Sequence, residues 1–208
     1  MRFYHAGKED TRRSYPCACE GWGIFGPESL EASRAWLADC LGEHYESFQA
    51  EDDEGNVVGE ILWSWSENSL SSLRTEPRVA VISCVWVRTQ SRRKGVWRGM
   101  LKSFSESLKA QGAKGILVAA TDYEGYMHRS HFEGPGFRVL GKHEGAVIMF
   151  YPLNQGTVDY RFTAERVPSW PDDTLTIHMS KNLRYGTAIG FYINGKPTFI
   201  SKEELAKL

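Results

Sequence analysis

Apolar and polar positions alternate with a strand-like period from Tyr45 to Ala50 and again from Val57 to Trp65. The acidic stretch Glu51-Asp52-Asp53-Glu54-Gly55-Asn56 separates the two runs, so the pattern predicts a β-hairpin. Arg78 to Val87 is a β-branched run with little polar interruption, which suits a strand buried on both faces of a sheet. The period then changes. Between Gly95 and Gln111 the residues Trp97, Leu101, Phe104 and Leu108 recur at spacings of four, three and four, which predicts an amphipathic helix with Gly112 closing its end. Lys114 to Ala120 reads as another short apolar strand, and strand, helix, strand in this order implies a right-handed crossover between parallel neighbours.

The flanks are read in the same way. Residues 1–27 hold many turn formers and aromatics and show no clean period. Pro27-Glu28-Ser29 opens a helix whose face carries Leu30, Ser33, Leu37 and Leu41, with Gly42 as its stop. Ser66 to Pro77 reads as a polar loop. A short helix is expected around His128 to Glu133, then strands over Phe137–Leu140 and Ala146–Leu153. Asn154 to Asp173, with Pro168 and Pro171, reads as a connection. Beyond it Thr174–Met179 alternates like a strand, Ala188–Phe199 predicts a hairpin around Asn194-Gly195, and Ser201 with Glu204 forms a capping box for a last helix. The division is therefore 1–153 for the main domain and 154–208 for a small accessory domain.

Composition narrows the function classes. The 208 residues carry 25 Lys+Arg against 26 Asp+Glu, a formal charge of -1, which argues against wholesale polyanion binding. No apolar stretch reaches the roughly 20 residues that span a bilayer, and no leader-like segment opens the chain, so a cytoplasmic protein is expected. The four cysteines Cys17, Cys19, Cys40 and Cys84 include only a C-x-C pair and no zinc tetrad, so free thiols and no metal are expected.

The chemistry concentrates after the buried strand. From Arg88 to Lys102 there are six basic residues (Arg88, Arg92, Arg93, Lys94, Arg98, Lys102) and no acid. A turn that opens a helix presents amides without intrahelical acceptors, a ready anion site. Basic residues at a helix N-terminus oppose the helix dipole, a conflict that a bound anion relieves. Arg92-x-x-Gly95, after a strand and opening a helix, resembles the acyl-CoA-binding motif (Q/R)-x-x-G-x-(G/A) of the GNAT superfamily of N-acetyltransferases. The resemblance extends through Lys114-Gly115-Ile116-Leu117-Val118 and His131-Phe132-Glu133-Gly134-Pro135-Gly136-Phe137, and covers roughly Ser47 to Leu153. Ser83-Cys84-Val85-Trp86-Val87, Cys17-Ala18-Cys19 and Phe191-Tyr192-Ile193-Asn194-Gly195-Lys196 further resemble the YoaP-like branch, which has a small C-terminal domain.

The resemblance implies an α/β (α+β) fold, a GNAT-like central mixed twisted sheet with flanking helices, plus a small C-terminal β-hairpin and helix extension. It implies acetyl-CoA as cosubstrate, its pantetheine arm pairing with backbone at Val85 and Val87 and its pyrophosphate held across Arg92, Arg93, Lys94, Gly95, Val96, Trp97 and Arg98. The implied reaction transfers an acetyl group to an amine by direct attack in a ternary complex; a CoA-binding sensor with weak or lost catalysis is the alternative. The acceptor is expected to be an amine-bearing small molecule or peptide, with no nucleic acid and no membrane, and a homodimer is allowed.

Two residues depart from the pattern. Trp97 occupies the Gly/Ala position, and its place in the 97, 101, 104, 108 stripe favours an indole swung into the core. Phe132 stands where the superfamily frequently has the Tyr that protonates the thiolate, and it has no proton to give. Candidates for proton transfer are therefore Glu60, mid-strand on the face assigned to Val58 and Leu62, and Tyr126, His128 and His131 near the missing Tyr. Cys84 reads as a small buried hydrophobe rather than a nucleophile.

Overall fold

The computed structural model describes residues 1–14, 34–35, 37–69, 73–122, 127–143 and 146–162, and the backbone alone at 176–177, 188–193 and 196–201. Its centre is a seven-stranded sheet. Strand β1 (Arg2–His5) lies at one edge, followed across the sheet by β2 (Glu46–Glu51), β3 (Val57–Trp65), β5 (Val79–Val87), β6 (Gly115–Thr121), β8 (Ala146–Pro152) and β7 (Arg138–His143) at the other edge. All neighbours are antiparallel except β5 and β6, which run parallel. Helix α1 (Val96–Ala110) makes the crossover between those two strands, as the periodicity predicts. A single helical turn, α2 (Ser130–Glu133), follows β6.

Helix α1 seats Val96, Met100, Leu101, Phe104 and Leu108 on one face of the sheet, against Phe48, Ile61, Trp63, Ala80, Ile82, Ile116 and Val118. The close approach has a visible requirement at Gly59, where a Cβ would lie 2.8 Å from the Met100 methyl. The opposite face carries two clusters. Leu37, Cys40, Leu41, Tyr45, Leu62 and Cys84 form one, under residues 37–40 of the expected first helix, which ends at Gly42 with φ +83°. Leu73, Val79, Val81, Leu117, Ile148, Phe150 and Val158 form the other.

Three differences from the sequence reading stand out. Arg2–His5, in the stretch without a clean period, is a strand, because it pairs residue by residue with Phe48–Glu51. The expected loop 66–77 contains strand β4 (Leu73–Thr75), and the expected connection after 154 contains β9 (Tyr160–Phe162); the two pair antiparallel. Three-residue strands carry too few alternations to be seen, and their stability comes from the partner. The link is fastened by Thr75 Oγ1 donating to Asp159 O at 2.5 Å, Gln155 Nε2 donating to Glu76 and the Lys114–Glu76 ion pair at 2.7 Å. Strands β10 (Thr176–Ile177), β11 (Ala188–Ile193) and β12 (Lys196–Ser201) form a separate antiparallel sheet, the last two in the expected hairpin register. Its Asn194-Gly195 turn and the expected last helix lie outside the described residues. No described helix is long and apolar enough to cross a membrane.

Candidate active site

The site begins where two parallel strands part. β5 pairs with β6 only from Val79 to Ile82, opposite Gly115 to Val118. Beyond that, β5 stays with β3 as far as Val87 while β6 stays with β8 as far as Thr121, so a gap opens between them. The parting coincides with a register shift. Leu62 pairs with Cys84 but Trp63 pairs with Ile82, which leaves Ser83 as an extra residue on β5. Such a bulge bends its strand and reverses the phase of the side chains beyond it. Val85 and Val87 accordingly pack toward the α1 face, while Cys84 joins the opposite cluster.

The backbone at the gap has a definite polarity. The Arg88 amide donates to Val58 O at 2.8 Å, so by strand alternation the amides of Trp86 and Cys84 also face β3. Val85 and Val87 therefore turn their main-chain N–H and C=O toward the gap. Val87 O accepts from Arg92 Nε at 3.2 Å, consistent with that orientation.

The basic turn lies directly beyond. Arg93 (φ +60°) and Gly95 (φ +80°) are both left-handed, a curl that gathers main-chain amides on one concave side. The first main-chain bond into α1 is Gly99 N to Gly95 O, so the amides of Val96, Trp97 and Arg98 have no earlier acceptor in the helix. Arg92, Arg93, Lys94, Gly95 and Arg98 are exposed and Val96 is buried. Left-handed curl, amides without a helical acceptor and basic side chains fit a pyrophosphate, and the edge of β5 that no described strand pairs fits an extended amide-bearing chain.

Trp97 does not fill the turn. Its indole leans to α2, edge-on to Phe132 at 5.7 Å between centroids, and Nε1 donates to His131 O at 2.9 Å. It stays half-buried at the rim of the core rather than inside it. Phe132 is 1% exposed and packs on Phe137 at 5.3 Å, so its ring belongs to the core.

The proton-transfer candidates separate. His131 lies on α2 at the protein surface, close enough to Arg92 of the basic turn to feel its charge, and its pKa is lowered by partial desolvation, then by the neighbouring His128 and Arg92. His128 Nδ1 is 2.8 Å from Ser130 Oγ, and the rings of His128 and His131 are 6.1 Å apart. Tyr126 lies outside the described residues.

Glu60 is 1% exposed and sits between Gly59 and Ile61, which face α1, so its side chain is on the other face with Leu62. The expected face-sharing with Val58 does not occur, because a register shift at Ala50/Glu51 places Val58 in the α1 cluster. Glu60 Oε1 accepts from Ser47 Oγ at 2.6 Å, Ser14 Oγ at 2.8 Å and Gln49 Nε2 at 3.3 Å. These donors replace the water that a buried carboxylate loses. Gln49 Oε1 in turn accepts from Tyr4 OH at 3.0 Å. None of the three donors was visible as a site residue, since Ser47 and Gln49 stand on β2 and Ser14 comes from the chain's first segment; only their polarity in apolar surroundings hinted at it.

The acidic run is engaged partly by its own turn and partly by the N-terminal segment. Asp52 accepts from Asn56 N at 2.8 Å, Asp53 pairs with the N-terminal ammonium at 2.7 Å and Glu51 pairs with Arg13 at 2.8 Å. Cys84 is buried, and burial pushes the thiol of its neighbour Cys40 up to about 12. Among the described residues, no three His, Cys, Asp or Glu side chains gather as a metal site requires.

The model of the acetyltransferase (GNAT) family matches residues 8–131. The chain belongs to that family. Among solved structures it is similar to the PaiA N-acetyltransferase of Thermoplasma acidophilum in complex with coenzyme A, at 16% identity over 73% of this chain and 99% of that one, TM-score 0.52. It is also similar to the GNAT family N-acetyltransferase YhbS of Escherichia coli in complex with CoA, at 14% identity over 77% and 89% of the two chains, TM-score 0.55. A phosphinothricin acetyltransferase of Sinorhizobium meliloti in complex with acetyl-CoA shares 20% identity over 75% and 90%, TM-score 0.52. No curated protein matches the sequence.

Proposed function

We propose that this GNAT protein transfers the acetyl group of acetyl-CoA to a primary amine by direct attack. The observation that carries the reading is the opening between β5 and β6, bordered by the outward-facing backbone of Val85 and Val87 and ending at the amide-rich turn. In this reading Val85 and Val87 pair with the pantetheine arm. The amides from Arg93 to Arg98 take the pyrophosphate, with Arg92, Arg93, Lys94 and Arg98 adding charge-assisted hydrogen bonds. A backbone donor near Val87 polarises the thioester carbonyl and stabilises its oxyanion.

His131 is assigned the proton transfers. Its lowered pKa favours the neutral imidazole, the form that takes a proton from the amine nitrogen as the C–N bond forms. The same proton goes to sulfur as the C–S bond breaks, which leaves free CoA thiol and an amide and returns the imidazole to neutrality. Glu60, one strand over from Trp86, is assigned to the acceptor side of the sheet, where a buried carboxylate favours an ammonium group. Tyr126, two residues before His128, is assigned as an auxiliary proton donor. We further assign the chain to the YoaP-like branch, with 154–208 as its accessory domain and β9 as the strand tying that domain to β4.

The test is free thiol release from acetyl-CoA with a panel of amines, with mass spectrometry of the products. Acetylated amine formed in step with thiol, and lost in His131→Gln and Glu60→Gln, supports the reading. Binding of CoA without turnover on any amine would overturn it in favour of a sensor.

A further inference from the structure

The two departures from the family motif meet in one contact. Trp97, in the Gly/Ala position, is edge-on to Phe132, in the Tyr position, and donates its indole N–H to the main-chain oxygen of His131. That oxygen has a specific reason to need a donor. In a continuing helix the carbonyl of residue 131 would accept from the amide of residue 135, and residue 135 is Pro, which has no N–H. Around it the turn is otherwise satisfied: Phe132 N donates to Arg129 O at 2.9 Å, Gly136 N to Glu133 O at 3.1 Å and Phe137 N to Phe132 O at 3.1 Å. The indole supplies the donor that Pro135 removes.

The same bond ties α1 to α2. Trp97 is in the first turn of α1, the turn that carries the amides without a helical acceptor, and His131 is on α2 beyond the end of β6. A four-residue helix does not hold itself in place; nucleation outweighs what so few bonds return. The N-terminal side of α2 is tied to the end of β6, where Arg129 N donates to Thr121 O at 2.8 Å and Arg129 pairs with Asp122 at 3.0 Å; the buried Phe132 ring and the Trp97 bond hold the turn itself. A small residue at 97, as the motif prefers, would leave the His131 carbonyl without its donor and the imidazole free to turn away.

We propose that Trp97 is a positioning residue of the acetyl transfer, holding His131 at the groove through the carbonyl that Pro135 leaves open. The inference rests on the assignment of proton transfer to His131. It accounts for both departures together: Phe132 gives up a proton donor to the core, and Trp97 places its neighbour at the site instead. The groups facing the His131 imidazole are His128 and Arg92, with Arg129 and Glu133 on its own turn.

The experiment compares Trp97→Phe, which keeps a ring against Phe132 but removes the N–H, with the wild type, His131→Gln and the double variant. We expect kcat to fall about fivefold to tenfold in Trp97→Phe, the loss of one neutral hydrogen bond, with KM for acetyl-CoA changed less than about twofold. The loss should be absent when His131 is already Gln. The His131 imidazole signal, followed by NMR in the free protein, should titrate at higher pH in Trp97→Phe, as the ring leaves Arg92 and His128 for water. Pro135→Ala added to Trp97→Phe restores an amide for the carbonyl and should recover the rate and the titration midpoint. It also serves where Trp97→Phe alone folds poorly.

Losses from Trp97→Phe and His131→Gln that simply add, or an unmoved His131 titration, overturn the proposal. Full activity in His131→Gln overturns instead the role assigned to His131, a result separate from the titration, which still reports whether Trp97 holds the ring.

Discussion

Replacing Ser47 with Ala removes a short hydrogen bond to the buried Glu60 carboxylate, together with a longer one accepted from Gln49 Nε2 at 3.4 Å. Ser47 and Glu60 are each 1% exposed, and the Ser47 hydroxyl donates to Glu60 Oε1 at 2.6 Å, shorter than the bonds from Ser14 and Gln49. A hydrogen bond to a charged group is worth about 1.5–3 kcal/mol, against about 1 kcal/mol for a neutral one. Alanine removes only the hydroxyl and opens no cavity larger than one oxygen, so the cost should come almost wholly from the carboxylate. We expect a loss of about 2 kcal/mol, which for a chain of this size lowers Tm by roughly 4–8 °C. Urea denaturation should show a lower midpoint with an unchanged m-value. Made in a Glu60→Leu background, the same change should cost less than about 0.5 kcal/mol, so the double-mutant cycle returns a coupling of about 1.5 kcal/mol or more. Equal costs in the two backgrounds would refute the claim that the Ser47 hydroxyl acts by solvating Glu60.

Other consequences follow from the same geometry. Gly95 has φ +80° and no atom within 4 Å of a built Cβ, so Gly95→Val should strain the backbone by about 1–2 kcal/mol without a clash and, like Arg92→Glu, abolish thermal stabilisation by CoA; stabilisation equal to wild type in either would show that the phosphate turn is elsewhere. Arg92→Gln removes one of the charges that lower the His131 pKa, so its NMR titration should move to higher pH. A histidine whose folded pKa is lowered adds stability above its unfolded pKa and loses it as pH falls from that value through the folded pKa, so an acid-side loss of stability should be smaller in Arg92→Gln. A Cβ at Gly115 would collide with the Phe150 ring and lie 2.7 Å from Tyr151 O, so Gly115→Ala should destabilise by about 1–3 kcal/mol, measured as a lower melting point. Cys40 and Cys84 are buried, and thiol reagents should reach them only on unfolding.

Legibility followed the range of the interactions. The alternation of Val57–Trp65, the 97, 101, 104, 108 stripe and the glycines at 42, 95 and 112, all at positive φ in the fold, are local features. Backbone conformation and one buried face decide them, and both are written in a window of ten to fifteen residues. The motif Arg92-x-x-Gly95 belongs to the same class, because a left-handed glycine before a helix sets the amides of the turn by itself. Strand β1 and the β4–β9 pair had no such signature, since four and three residues become strands only through partners about 45 and 87 positions away.

What the chain determined alone was its set of elements and the chemistry of one turn: patterns of burial and φ are short-range and survive without neighbours. Tertiary structure alone decided where β5 leaves β6, which places the gap at the Ser83 bulge, and which donors surround Glu60. It also brought Trp97 to the carbonyl that Pro135 had left open. Proline announces a missing amide from the sequence, but a carbonyl accepts from whichever donor the packing delivers, and that donor stands 34 residues earlier in the chain.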